Sequence, residues 1–345
     1  MEKQLFLIGN GFDLAHGIPT SYNDLMNWYG KQLIDQLQEE ETVEDDFFET
    51  SLRVPLGGRT SSIHNCPPNF SQLLDSGFAK PKSDFFMELL VNYRKGNWVD
   101  IESFYFEKLK QIAQIPKGDL GLEERVKRVI TLNKQFQNVQ NLLDRYLRTL
   151  TKEINLMPEF LKMFQPKDPQ DKYMYLSFNY TNTVELYFNK LIIPSKSQVV
   201  NIHGRLGNNA NPIIFGYGDQ HDEIYATLEN FNQNEFLEYI KYPQYTLSDA
   251  FQKLTRFINV PYQSYIVHII GHSCGLSDRT LLREILENRN CERIFIHHYP
   301  DVKDFTQKAT ELTRHFTDKI SYLKKVSPFD LSFECPQSIE TTYNN

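Results

Sequence analysis

Six short apolar runs, at 4–8, 173–178, 198–202, 212–215, 265–270 and 293–297, alternate with stretches of helical periodicity, and nothing else restricts the fold of this chain as much. The intervening helices are expected at 183–191, 225–241, 247–258, 279–288 and 303–315. Strands that alternate with helices build a parallel sheet covered by helices. The run at 4–8 stands far from the others, and because a lone strand is not stable it must join the later sheet.

Between the first strand and the rest lies a long interruption. A helix is expected at 21–40, with Ser21 as its cap and Asp24 at the position that completes a capping box. The segment 41–82 opens acidic at Glu44-Asp45-Asp46 and continues through Pro55, Gly57-Gly58 and Pro67-Pro68, which reads as a flexible flap and a potential lid. Helical periodicity returns at 84–92, 100–115 and 123–150. The expected architecture is an α/β core of 1–40 and 166–330, a Rossmann-like parallel sheet with helices on both faces. A helical insertion at 41–165 interrupts it, and a loop-like tail occupies 331–345.

Composition removes several function classes. With 37 Lys+Arg against 44 Asp+Glu, the net charge of −7 provides no global attraction to nucleic acid or anionic lipid. The longest apolar runs fall far short of the roughly 20 residues that span a bilayer. The opening Met1-Glu2-Lys3-Gln4-Leu5 shows no secretory signal. Cys66, Cys274, Cys291 and Cys335 form no C-x-x-C pair, so free thiols in a cytoplasmic protein are expected and no metal site is. His297 and His298 point to opposite faces of their strand and lack further ligands.

Chemistry is expected where parallel strands end, because ligands of open α/β sheets bind at the carboxyl ends. The first end reads Gly9-Asn10-Gly11-Phe12-Asp13-Leu14-Ala15-His16. Gly9 and Gly11 would let the backbone approach a phosphate at a helix start, with Asn10, Asp13 and His16 as polar neighbours. It is not G-x-G-x-x-G, since the third glycine, Gly17, follows six residues after the second. The second end is Ser177-Phe178-Asn179, whose amide suits a water or a hydroxyl. The third is His203-Gly204, an imidazole suited to proton transfer or a ribose contact. The fourth is Gly271-His272-Ser273-Cys274-Gly275, with Asp278 beyond it.

That fourth end fits G-x-S-x-G, and Asp301 or Asp304 followed by His315 would supply a Ser, Asp, His order, so a serine hydrolase is the rival reading. In the alternative role, Ser273 and Asp278 hydrogen-bond a ribose or phosphate. Trp98-Val99-Asp100-Ile101-Glu102 places two carboxylates at a helix start, where they suit the helix dipole without any further function.

Taken together, the stretch 8–22, the Trp98 to Glu102 segment, 177–181, His203-Gly204 and Gly271-His272-Ser273 resemble the AbiH family of bacterial abortive-infection proteins, over 5 to about 300. The motif order is also similar to sirtuin-like NAD-binding domains, with Gly17-Ile18-Pro19 after the glycine loop. The resemblance implies an anti-phage effector acting on NAD as substrate. It implies Asn179 as the residue ordering the ribose or attacking water, His203 as the catalytic histidine, and Ser273 with Asp278 on the adenosine side. Asp13 would stabilise the developing cation. Gly9, Asn10, Gly11, His16, Ser177 and Gly271 would line the dinucleotide. Departures are the Gly-Asn-Gly-Phe-Asp loop, Tyr180-Thr181 after the asparagine, and no zinc-binding cysteine quartet, which argue against a protein deacylase. A nucleotide is the expected small-molecule partner; a homo-oligomer and a phage-derived trigger are further candidates. A non-enzymatic nucleotide sensor is the remaining alternative.

Overall fold

The computed structural model describes residues 2–56, 59–62, 66–95, 100–116, 118–150, 154–192, 197–218, 220 and 222–338. The chain divides into two compact units. One comprises Met1–Pro19, Leu150–Asn230 and Tyr239–Asn345, the other Thr20–Thr149 and Phe231–Glu238. These boundaries differ from those read in the sequence: the helix at 21–40 groups with the second unit, and 150–165 groups with the first.

In the first unit six strands form one parallel sheet: β1 (Lys3–Ile8), β2 (Lys172–Ser177), β3 (Gln198–Asn201), β4 (Tyr265–Ile270), β5 (Cys291–His298) and β6 (Phe333–Glu334). Their spatial order is β3-β2-β1-β4-β5-β6. Ile8 pairs with Ser177 on one side and Ile270 on the other, and Ser177 pairs with Asn201, so four strands end at one level. Alternation along β1 sorts its side chains between two cores. Leu5 and Leu7 pack with Leu254 and Ile258 of helix Ala250–Ile258 and with Leu282 and Ile285 of Arg279–Leu286. Phe6 and Ile8 pack on the other face with Phe160 and Phe164 of Pro158–Phe164 and Tyr187 of Thr183–Phe188. The sheet is thus buried on both faces, as the unbroken apolar runs require.

Three local expectations are corrected. The run 212–215 is not a strand: Gly204, at φ +80°, turns the chain back, and Ile214 N donates to His203 O from an irregular segment. The stretch 225–241 is not one helix. It breaks into Tyr225–Asn230, a 3-10 turn at Asn234–Phe236 and Lys241–Gln244, with left-handed Asn232 (φ 51°) at the break, a conformation asparagine tolerates. The tail is not only loop, since Phe333 and Glu334 pair with His297 and His298 as the sixth strand. The Phe333 ring lies against that of His297, at 5.2 Å.

In the second unit, helix Tyr22–Glu39 carries the expected capping box, with Ser21 Oγ accepting from Asp24 N and Asp24 Oδ2 from Ser21 N. The segment read as a flap contains regular structure. Thr42–Glu44, Phe48–Ser51 and Ala79–Pro81 form an antiparallel sheet, and Arg53–Leu56 pairs with Arg59–Ser62. Proline and glycine signals masked short strands; Phe48, which opens the second of them, and Phe47 just before it anchor an aromatic cluster with Tyr29, Phe70 and Phe86. Helices Asp84–Arg94, Ile101–Gln114 and Leu122–Thr149 lie close to expectation. The buried Arg125 guanidinium donates to Ile112 O and Pro116 O, covering carbonyls left open where the middle helix ends.

Candidate functional site

In the order β3-β2-β1-β4-β5-β6 the connections leave β1 in opposite directions, and the crevice outside such a reversal is where α/β sheets take ligands. The loops after β1 and β4 meet there. Gly9 N donates to Ile270 O at 3.0 Å and Gly11 N to Gly271 O at 2.8 Å. A Cβ on Gly271 would lie 2.3 Å from Phe12 N, and Gly271 is left-handed at φ +62°. The glycines serve first to bring two loops into backbone contact. The amides of Gly9 and Gly11, expected to face a phosphate, are instead held by carbonyls. Asn10 opens the short helix Asn10–Ala15.

Two further residues singled out in the sequence have internal partners. His16 Nδ1 lies 2.6 Å from Phe12 O and Nε2 2.6 Å from Tyr187 Oη, so both ring nitrogens are engaged inside the core. Ser177 is fully buried, and its Oγ accepts from Asn179 N. Asn179 in turn donates from Nδ2 to Gly9 O at 3.0 Å, tying the ends of β2 and β1 together. Asp13 is 1% exposed and accepts from Thr181 Oγ1 at 2.7 Å. Burial pushes its carboxyl up to about 6, against the Thr183, Thr181 and Asn179 side chains, which favour the ionised form.

Past β3 and β4 lies a buried charged cluster. Asp278 Oδ1 is 2.7 Å from Lys241 Nζ and 3.0 Å from His203 Nε2, and Oδ2 is 3.7 Å from His272 Nε2. Burial alone would raise the Asp278 carboxyl, but Lys241 and then His203 outweigh it and hold it well below the usual range. Burial, then the Lys241 ammonium, lowers the His203 pKa, against the pull of Asp278 and the Phe178 backbone. His272 is pushed down to about 4, chiefly by burial, and its Nδ1 accepts from Cys274 N at 2.9 Å. The ring of Phe178 stands edge-on to both histidines. Sequence reasoning found His203 and Asp278 but did not single out Lys241, which lies inside an expected helix, or His272 as a partner. Lys241 is 37 residues from its carboxylate, and no local pattern announces the pair.

The serine-hydrolase constellation is not assembled. Ser273 is exposed, while the left-handed non-glycine residue of the turn is its neighbour Cys274 (φ 54°), whose thiol burial pushes up to about 12. His315 is fully buried with Nε2 2.7 Å from Cys274 O. Asp301 caps helix Val302–Thr313, and Asp304 accepts from Tyr299 N at 2.7 Å. Of the 98–102 segment, Trp98 and Val99 lie outside the described residues, and Asp100 caps helix Ile101–Gln114. His297 Nε2 packs 3.1 Å from His268 Nδ1, and His298 Nδ1 lies near Tyr299 O. Among the described residues no three His, Cys, Asp or Glu stand together as a metal site.

Fold and site together define a Rossmann-like α/β protein with buried acid, amide and imidazole groups gathered at the carboxyl ends of its strands. Residues 5–299 match the family described as bacteriophage abortive infection AbiH, and the chain belongs to that family. Membership points to a role in phage abortive infection. Compared with curated proteins, the chain has no match. Among the described residues no helix is long and apolar enough to cross a membrane.

Proposed function

We propose that the protein is an abortive-infection effector that binds an NAD-like dinucleotide and hydrolyses the bond joining nicotinamide to ribose. The observation that carries this reading is the level alignment of β1, β2 and β3, which sets Asp13, Asn179 and His203 just past three adjacent strand ends beside the sheet's reversal point. Reversals in sheets of this order accommodate dinucleotides.

Cleavage of the glycosidic bond builds positive charge at the ribose carbon as nicotinamide leaves with the bonding electron pair. Water then adds its oxygen to that carbon and loses a proton. Asp13, largely ionised at pH 7, supplies negative charge for the cationic transition state. Asn179 orients the water or a ribose hydroxyl. His203, kept neutral by burial and Lys241, accepts the proton. Ser273, exposed at the end of β4, offers a hydroxyl on the adenosine side. Gly9, Gly11 and Gly271 keep the crevice floor thin, Asn10 borders it, and His16, Ser177 and Asp278 act through the groups they hold.

The test is incubation of the purified chain with NAD, following nicotinamide by chromatography, beside His203→Ala. Release of nicotinamide that the variant loses, with folding unchanged by circular dichroism, is expected. Equal release from both proteins would remove His203 from the reaction, and NAD binding without product would make the protein a sensor.

A further inference from the structure

The outer edge of the sheet gathers apolar side chains that the core does not take up. Helix Lys319–Lys325 packs inward through Tyr322, whose Oη donates to Ala309 O at 3.2 Å, and Val326 just past its end bridges to Ile294 of β5. A different face of that helix presents Ile320 and Leu323, one turn apart. The chain then turns through 328–332 and returns to β5 as β6, with Phe333 opposite His297. Ile294 and His297 lie three residues apart on one strand, a rise of about 10 Å. Phe329, Leu331 and Phe333 therefore emerge along a short stretch of the same edge that the helix flanks. Ile320, Leu323, Phe329, Leu331 and Phe333 are between 40% and 69% exposed. They are five of the fourteen large apolar side chains that lie open among the described residues, so they form a patch and are not scattered single residues.

We propose that a second copy of the chain docks on this edge through a two-fold contact. A standard interface takes about 800 Å² from each partner, a little over half of it apolar. Five side chains of this size at these exposures supply on the order of 500 Å², which matches that apolar share. The rim carries both signs, with Asp318, Asp330 and Glu334 against Lys319, Lys324 and Lys325. A two-fold sets a surface against itself, so a balanced rim spares it the repulsion that two chains of net charge −7 would otherwise feel. An anionic lipid surface is the poorer partner. Lys319 Nζ is held by Thr313 O and Phe316 O, and Lys325 Nζ by Leu286 O and Asn288 O, which leaves Lys324 beside three carboxylates. Addition of a foreign strand is poorer still, because β6 is two residues long and ends on Glu334, features that blunt a sheet edge.

The test is sedimentation equilibrium of the full chain across the micromolar range, beside Leu323→Lys and Leu247→Lys, with flotation on vesicles of phosphatidylserine and phosphatidylcholine in parallel. Leu247 is similarly open, but it precedes helix Ala250–Ile258, which packs against β3 at the opposite edge. A dimer is expected for the wild-type chain and for Leu247→Lys. Leu323→Lys should weaken it on the order of a hundredfold, because a two-fold contact counts the change twice. Leu331→Lys, on the turn, repeats the test without touching the helix. A wild-type chain that stays monomeric overturns the proposal, as does a dimer that both Leu323→Lys and Leu331→Lys leave intact. Mass that keeps growing with concentration overturns the two-fold in favour of a head-to-tail contact. A monomer that floats with the vesicles, and no longer does so as Leu323→Lys, overturns the second copy in favour of lipid.

Discussion

Lys241 and His203 meet at one atom: Nζ of the first stands 2.7 Å, and Nε2 of the second 3.0 Å, from Asp278 Oδ1. The ammonium has no exposed surface and is the nearer of the two, so it fixes the carboxylate's charge and disfavours a second positive charge on the imidazole. Removing it should have two effects. Lys241→Met leaves a buried carboxylate short of its cation and should cost about 3–5 kcal/mol in urea unfolding, most of it recovered in Lys241→Met/Asp278→Leu. The His203 pKa should rise in the single variant, read from the imidazole signals by NMR. An unchanged His203 titration would mean that Lys241 does not govern it.

Asp13 gives the stability a pH dependence of unusual sign. Its folded pKa of about 6 lies above the unfolded value of 3.8, so between those limits the native state holds the proton more tightly than the unfolded chain. The contribution is full below the unfolded pKa and is lost as pH rises through the folded one. Relative to Asp13→Asn, the wild-type chain should therefore lose about 2 kcal/mol between pH 4 and pH 7. A difference that stays flat across this window would show that the carboxyl is ionised throughout.

Two left-handed glycines should respond very differently to alanine. Gly77, at φ +74°, has nothing within 4 Å of a would-be Cβ, so Gly77→Ala should cost about 1 kcal/mol from backbone strain alone. Gly271→Ala adds a 2.3 Å encounter with Phe12 N and pushes apart the Gly11 N to Gly271 O bond, so its loss should be several-fold larger. Thermal midpoints of the two variants decide the matter, and similar values would mean that the β1 and β4 loops separate freely.

The turn after β4 should be inert to serine- and thiol-directed reagents. Ser273 lacks the strained backbone of an elbow nucleophile, and the Cys274 thiol is buried and held protonated up to about 12. A fluorophosphonate probe should leave the chain unlabelled, and iodoacetamide should not modify Cys274 in the folded protein. Labelling that Ser273→Ala removes would revive the hydrolase reading.

Much of the fold is legible from residue order. The runs that became β1, β2, β3, β4 and β5 are apolar on both faces, and only a helix-covered parallel sheet buries them so. The capping box at Ser21 and Asp24 is likewise local chemistry and needs no tertiary context. Where the reading failed, the signal was either misleading or distant. Prolines and glycines hid the strands of 41–82. The sixth strand is two residues long and exists only because the edge of β5 is there to pair with it.

The site divides in the same way. Sequence by itself determined that polar residues would follow apolar strands, and so that Asp13, Asn179, His203 and Asp278 would gather at the carboxyl end of one sheet. That follows from spacing, because a parallel strand always delivers its loop to the same edge. Only the tertiary structure decided what those residues do to one another. It turned the amides of Gly9 and Gly11 toward carbonyls of the β4 loop, engaged both nitrogens of His16, and put Lys241 against Asp278. Periodicity is encoded within a few residues, whereas a buried charge finds its partner through packing between segments far apart in the chain.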